Sequence, residues 1–160
     1  MADTSQAPSA TSKPTSGERD HLVIRVGAEL YALAGTCVRE IARWRVPTPV
    51  PGAPAVIPGI ISQRGVVLPV VDLRLALSMP ATPPERSTRL VVVQHEATDL
   101  VLLVDGVLDF IPVAVAAMAQ PPAALDAARA RLLTAVARHD DQPLGVLNLA
   151  VIIAAVREGL

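Results

Sequence analysis

Apolar runs no longer than a β-strand alternate along the chain with turn residues. LVIRV (22–26) and LYALA (30–34) are built from Val, Leu, Ile and Ala, and Gly27-Ala28-Glu29 between them suits a hairpin connection. Thr36 is placed to cap a brief helix with Val38 and Ile41 on its inner face. The stretch Pro47-Thr48-Pro49-Val50-Pro51-Gly52-Ala53-Pro54 is too rich in proline for either ladder or helix and reads as a connector. GIISQ and VVLPVV then flank Arg64-Gly65 as a second hairpin. Asp72 follows at the N-cap of a short helix, with Leu73, Ala76 and Leu77 on one face.

The same order then recurs. LVVVQ (90–94) and LVLLV (100–104) flank a polar turn, and Asp105 to Phe110 stands where Thr36 to Ile41 stood, at an offset of about 69 residues. The segment from Arg131 to Ile153 repeats the second hairpin and helix, with Asn148 at the N-cap that Asp72 occupies earlier. A duplicated unit of about 70 residues is the simplest account, and short strands at this spacing argue for small barrels. Two such barrels would share one continuous core.

Composition narrows the class. Residues 1–19 are rich in Ser, Thr, Ala, Pro and Gly, so a disordered tail is expected there, with the domain occupying 20–158. The chain is 51% hydrophobic but only 2% aromatic, so the core must be aliphatic. A net charge of −1, no basic stripe and few aromatic side chains to stack bases argue against nucleic-acid binding. No apolar segment approaches the roughly 20 residues that span a bilayer, and the N-terminus has no apolar signal region. With Cys37 as the single cysteine, no internal disulfide is possible, and a cytoplasmic protein without membrane insertion is expected.

A search for chemistry finds no constellation. His21 lies at the domain start and His95 and His139 at hairpin turns; none has companions at metal-ligand spacing, and all three read as solvated. Cys37 reads as a buried structural thiol. The glycines are scattered among turns rather than gathered in a phosphate loop. Asp72, Asp105, Asp109, Asp140 and Asp141 begin helices or sit in turns, where Asp bonds local backbone. No active site, metal site or cofactor site emerges, which moves the weight towards a binding module.

The stretch Gly59-Ile60-Ile61-Ser62-Gln63-Arg64-Gly65-Val66-Val67-Leu68-Pro69-Val70-Val71-Asp72-Leu73 resembles the CheW family of chemotaxis adaptors. Members carry G-(V/I)-x-N-L-R-G-x-(V/I)-x-P-V-(V/I)-D-L, matched here at Gly59, Arg64, Gly65, Pro69, Val70, Asp72 and Leu73. Leu30-Tyr31-Ala32-Leu33 with Val38-Arg39-Glu40-Ile41, the connector from Pro47 to Pro58, and Leu102-Leu103-Val104-Asp105-Gly106-Val107 are similar to further family segments. The resemblance thus covers nearly all of residues 21–158.

It implies a mainly β fold of two intertwined five-stranded barrels, similar to SH3 barrels, with short helices and a groove between the barrels. It also implies a non-catalytic adaptor that couples the cytoplasmic tips of methyl-accepting chemoreceptors to the regulatory domain of a CheA-type histidine kinase, recruited to membrane-associated receptor arrays. By the same resemblance Arg64, Gly65, Glu40 and Val38 are receptor-binding residues. The kinase-facing surface is assigned to no residue. Val107 and Leu108 hold the equivalent place in the second copy and read as core.

Two departures stand out: Ser62-Gln63 replaces the family's Asn-Leu before the arginine, and the last hairpin turns on Asp140-Asp141. Alternatives are an adaptor of a chemosensory pathway controlling pili or gliding, and, from a different class, a small-molecule-binding or enzymatic β-barrel domain. With no receiver domain after Leu160, a CheV-type protein is not expected.

Overall fold

The structure is a computed structural model and describes residues 17–158. The first copy of the repeat supplies β1 (Glu18–Val26), β2 (Glu29–Ala34), β3 (Val38–Arg43), β4 (Gly59–Gln63), β5 (Val66–Asp72) and α1 (Leu73–Ala76). The second supplies β6 (Arg89–His95), β7 (Thr98–Val104), β8 (Gly106–Ala114), α2 (Ala127–Ala130), β9 (Leu133–His139), β10 (Gln142–Leu147) and α3 (Leu149–Arg157).

Each five-stranded sheet mixes the two copies. One runs β8-β1-β2-β10-β9 and the other β3-β6-β7-β5-β4, so each copy's opening hairpin pairs with the other copy's third strand and second hairpin. The duplication holds to the level of register. Val146 pairs with Ala32 across β10 and β2 as Val70 pairs with Val101 across β5 and β7, and both junctions are parallel. Ile24 opposite Val107 repeats Val93 opposite Val38, with a bulge at each site. Each sheet is closed at its seam by one bridge, Thr48 to Ile60 in one and Ala119 to Val136 in the other.

This swap explains the apolar runs. In β1, Val23 faces the interior of its own barrel, while Leu22 and Ile24 face a larger cluster that also takes Leu102, Leu73 and Ile152. A strand buried on both faces needs apolar residues at successive positions, which is why LVIRV does not alternate. The core is accordingly three clusters rather than the one expected: a small interior in each barrel, and the largest drawing on both sheets with α1 and α3.

Three local readings are corrected. Thr36 caps no helix: Gly35–Cys37 is a single 3-10 turn without a side-chain cap, and Val38 to Arg43 is strand because it pairs with Arg89 to Val93 of β6. Asp105 to Phe110 likewise enters strand β8 rather than a helical turn. β1 begins at Glu18, inside the span assigned to the tail, because Glu18 and Arg19 pair with Ala114 and Val113; residues 1–16 lie outside the described residues.

A polar clasp joins the copies. The Asp105 carboxylate accepts from the Gly27 amide at 2.6 Å and from Arg74 Nε at 2.9 Å, while its carbonyl accepts from Arg25 and Ser87. Beside it Asp72 caps α1 by accepting from the Arg74 amide, as Asn148 caps α3 through Val151. Burial, the largest influence, raises the Asp72 carboxyl above the usual range, and the nearby Asp105 carboxylate adds to it.

A raised folded pKa means the native state binds the proton more tightly than the unfolded chain, so stability falls as pH rises through that window. Asp72→Asn keeps the cap acceptor and removes the buried charge, as the other copy already does. It should melt no lower than wild type at pH 7, with the difference vanishing towards pH 4. Asp72→Ala should lose about 1 kcal/mol at both pH values with its cap. Melting curves of the three proteins from pH 4 to 8 decide it; a marked drop for Asp72→Asn at pH 7 would show the carboxylate to be favourable.

Candidate functional site

The register of β4 and β5 pairs Gln63 with Val66 and leaves Arg64-Gly65 as a two-residue turn. Both have positive φ, 53° and 79°, as a type I′ turn requires. A side chain at Gly65 would meet nothing within 4 Å, so the backbone angle rather than space calls for glycine there.

From this tip Arg64 reaches back to β3. Its Nε donates to Glu40 Oε1 at 3.0 Å and its Nη2 to Oε2 at 3.2 Å, a forked contact that fixes the guanidinium plane. The Arg64 side chain is 78% exposed and that of Glu40 28%. Hydrogen bonding from Arg64, then from Gln63, holds the Glu40 carboxyl below its usual range, and Glu40 raises Arg64 in turn. Arg45 adds bonds at 2.6 Å to the Ser62 carbonyl and to Gln63 Oε1. Exposed ion pairs contribute little to stability, so the main effect of this network is orientation. Large apolar side chains stand exposed on the same strands: Ile41 on β3, Val66 and Val67 on β5.

Of the four residues singled out in the sequence, Arg64, Gly65 and Glu40 come together. Val38 does not join them at the surface; it is half-buried and packs on the central core. Sequence reasoning missed Arg45 and the part played by Gln63. The signal was the Ser62-Gln63 departure itself, since the amide that replaces an apolar side chain bonds both Arg45 and Glu40.

The second copy carries a different charge at the equivalent place. Asp140-Asp141, with φ of 50° and 65°, occupies the turn held by Arg64-Gly65 in the first copy. His139 Nε2 lies 3.6 Å from Asp140 and 3.9 Å from Asp109, the counterpart of Glu40. One barrel tip is therefore cationic and the other acidic. Val107 packs against the core as expected, but Leu108 is exposed, so its core reading is corrected.

The remaining candidates disperse. His21 is not solvated: it lies inside β1, 4% exposed, with Nδ1 2.9 Å from the Arg19 carbonyl. Cys37 is half-buried rather than buried. Among the described residues no three His, Cys, Asp or Glu side chains are placed to hold a metal ion, and no helix is long and apolar enough to cross a membrane.

Two interleaved five-stranded barrels, with strands exchanged between the two copies of the repeat, define the class of fold. The sequence profile of the CheW-like domain matches residues 20–157, and the chain belongs to the CheW family. It is 39% identical over 99 residues to the chemotaxis protein CheW of Rhizobium meliloti and 36% over 103 residues to that of Bacillus subtilis. Those alignments take in 62% and 64% of this chain and span just under two thirds of the relatives, 64% and 65%. Protein FrzA of Myxococcus xanthus is 31% identical over 142 residues, covering 88% of this chain and 89% of that protein. The crystal structure of the scaffolding protein TtCheW from Thermoanaerobacter tengcongensis superposes with a TM-score of 0.74 at 25% identity, covering 81% of this chain and 88% of that one.

Proposed function

We propose that this protein is an adaptor without catalytic activity, joining the cytoplasmic tip of a methyl-accepting chemoreceptor to the regulatory domain of a CheA-type histidine kinase. It would work in the cytoplasm, recruited to membrane-associated receptor arrays. The observation that carries the reading is the Arg64–Glu40 fork: an exposed guanidinium held in one plane beside exposed Val66 and Val67, on the family's own hairpin. Arginine in such a setting combines directional bonds with apolar burial, a pattern enriched at interface hot spots.

The test is a pull-down of the purified chain with a soluble receptor hairpin and, separately, with the kinase regulatory domain. Both should be retained, and together they should form a ternary complex. Failure to hold either partner, or a saturable turnover of some substrate abolished by one point mutation, would sink the adaptor reading. A second reading, an adaptor in a chemosensory pathway controlling pili or gliding, is favoured by FrzA, a relative that does not bear the chemotaxis name. It aligns over more of the chain than the two CheW proteins do.

A further inference from the structure

The barrel formed by β8-β1-β2-β10-β9 holds a cavity of about 350 Å³ between β2, β9, β10 and the segment leading into α2. Its apolar walls are Leu30, Tyr31, Leu125, Leu133, Val136 and Pro143. Its polar end is a relay: Tyr31 donates to Glu29 Oε1, and Arg129 Nη1 lies 3.3 Å from Glu29 Oε2. Arg129 also donates through Nε to the Leu77 carbonyl at 3.2 Å, tying the segment over the cavity to α1. Gly145 lets the Tyr31 ring lie flat against β10, since a Cβ there would stand 3.0 Å from Tyr31 Cδ1.

The two copies diverge at this end. The counterparts of Glu29, Tyr31 and Gly145 are Thr98, Leu100 and Pro69, and there Thr98 merely accepts from Arg157 of α3. Between duplicated halves that agree in register, replacement of a hydroxyl and an aliphatic side chain by a carboxylate and a phenol, with the Arg129 guanidinium set against them, builds a polar end where the equivalent positions of the other barrel have neither carboxylate nor phenol. Glu29 and Arg129, the charged side chains of the lining, cancel. An ion would find no net counter-charge there, whereas a neutral head can accept from Arg129 or donate to Glu29. The volume lies at the lower end of the roughly 300–1,000 Å³ of small-molecule sites.

From this geometry we infer that the cavity is a binding site for a neutral amphiphile, a single apolar chain or ring system carrying one hydrogen-bonding head. The inference stands independently of receptor and kinase binding. N-phenyl-1-naphthylamine is a fitting probe: it is uncharged, has one N–H to donate, and brightens in apolar surroundings. Titrated into the full chain it should bind saturably, one per chain. Val136→Trp, which fills the cavity from β9, and Leu125→Trp, which fills it from the overlying segment, should each weaken binding at least tenfold, with circular dichroism and melting curves recorded in parallel. Should Val136→Trp fail to fold, Leu125→Trp lies outside the barrel strands and carries the comparison. An unsaturable rise in fluorescence, or unchanged affinity in a folded tryptophan variant, would overturn the assignment.

Discussion

Arg64→Ala should weaken binding of a soluble receptor hairpin by roughly 30-fold, the scale of an interface hot spot, while kinase-domain binding and the melting curve stay close to wild type. The side chain is 78% exposed and its ion pair with Glu40 is at the surface, so folding has little to lose from its removal. What is lost is a guanidinium already held in plane by both Glu40 oxygens. A partner that docks on it need not immobilise a long flexible side chain, and that saved ordering cost is much of the value of a preorganised arginine.

The ion pair offers a sharper discrimination. If the fork serves only to pin β4 to β3, the doubly swapped Glu40→Arg, Arg64→Glu protein should regain what either single change loses. If the partner reads the cation at the hairpin tip, the swapped protein keeps its pair but presents the wrong charge, and binding should stay weak. Receptor titrations on wild type, Arg64→Ala, Arg64→Glu and the swap, at low and at physiological salt, separate the cases. Unchanged affinity in both single variants, or losses that follow unfolding, would refute the assignment of Arg64.

Much of this was legible from the sequence because the chain states its plan twice. Asp72 and Asn148 both read as N-caps and both are, because a capping side chain acts on its own next turn and needs no tertiary context. Val38 to Arg43 misled for the opposite reason. Its neighbours in the sheet are Arg89 to Val93, about 50 residues away, and that pairing overrides any local helical signal. The strand exchange is likewise invisible in either copy alone, since a third strand carries no mark of which hairpin it will join. Arg64 could be picked out on its turn and Glu40 on its segment. Their meeting could not, because it depends on the seam where β3 and β4 approach.

That seam is also where one added carbon should do the most damage. Gly59 opens β4 opposite Val70, and the connector crosses it so closely that a Cβ would lie 2.3 Å from the Thr48 carbonyl oxygen and 2.6 Å from its carbon. These are backbone atoms, fixed by the paired bonds between Thr48 and Ile60 at 2.8 and 2.9 Å, so no rotamer change relieves the clash. Gly59→Ala must therefore push the connector off the barrel and break the bridge that closes it. Overpacking of this kind costs about 1–3 kcal/mol, and a clash with backbone belongs at the upper end. For a chain of this size that is a fall of about 6–10 °C in melting temperature. The barrel that contains β9 supplies the control. Ala135 occupies the equivalent place in β9, where the connector bridges at Ala119 instead. Ala135→Gly should lose only the roughly 0.5–1 kcal/mol of glycine in a strand. Because Glu40, Arg45, Ser62 and Arg64 meet across the same seam as the Thr48 bridge, Gly59→Ala should also loosen the fork and reduce receptor binding at temperatures where the protein is still folded. A Gly59→Ala protein that melts within about 2 °C of wild type would show that the connector can yield, and that the barrel does not depend on this bridge.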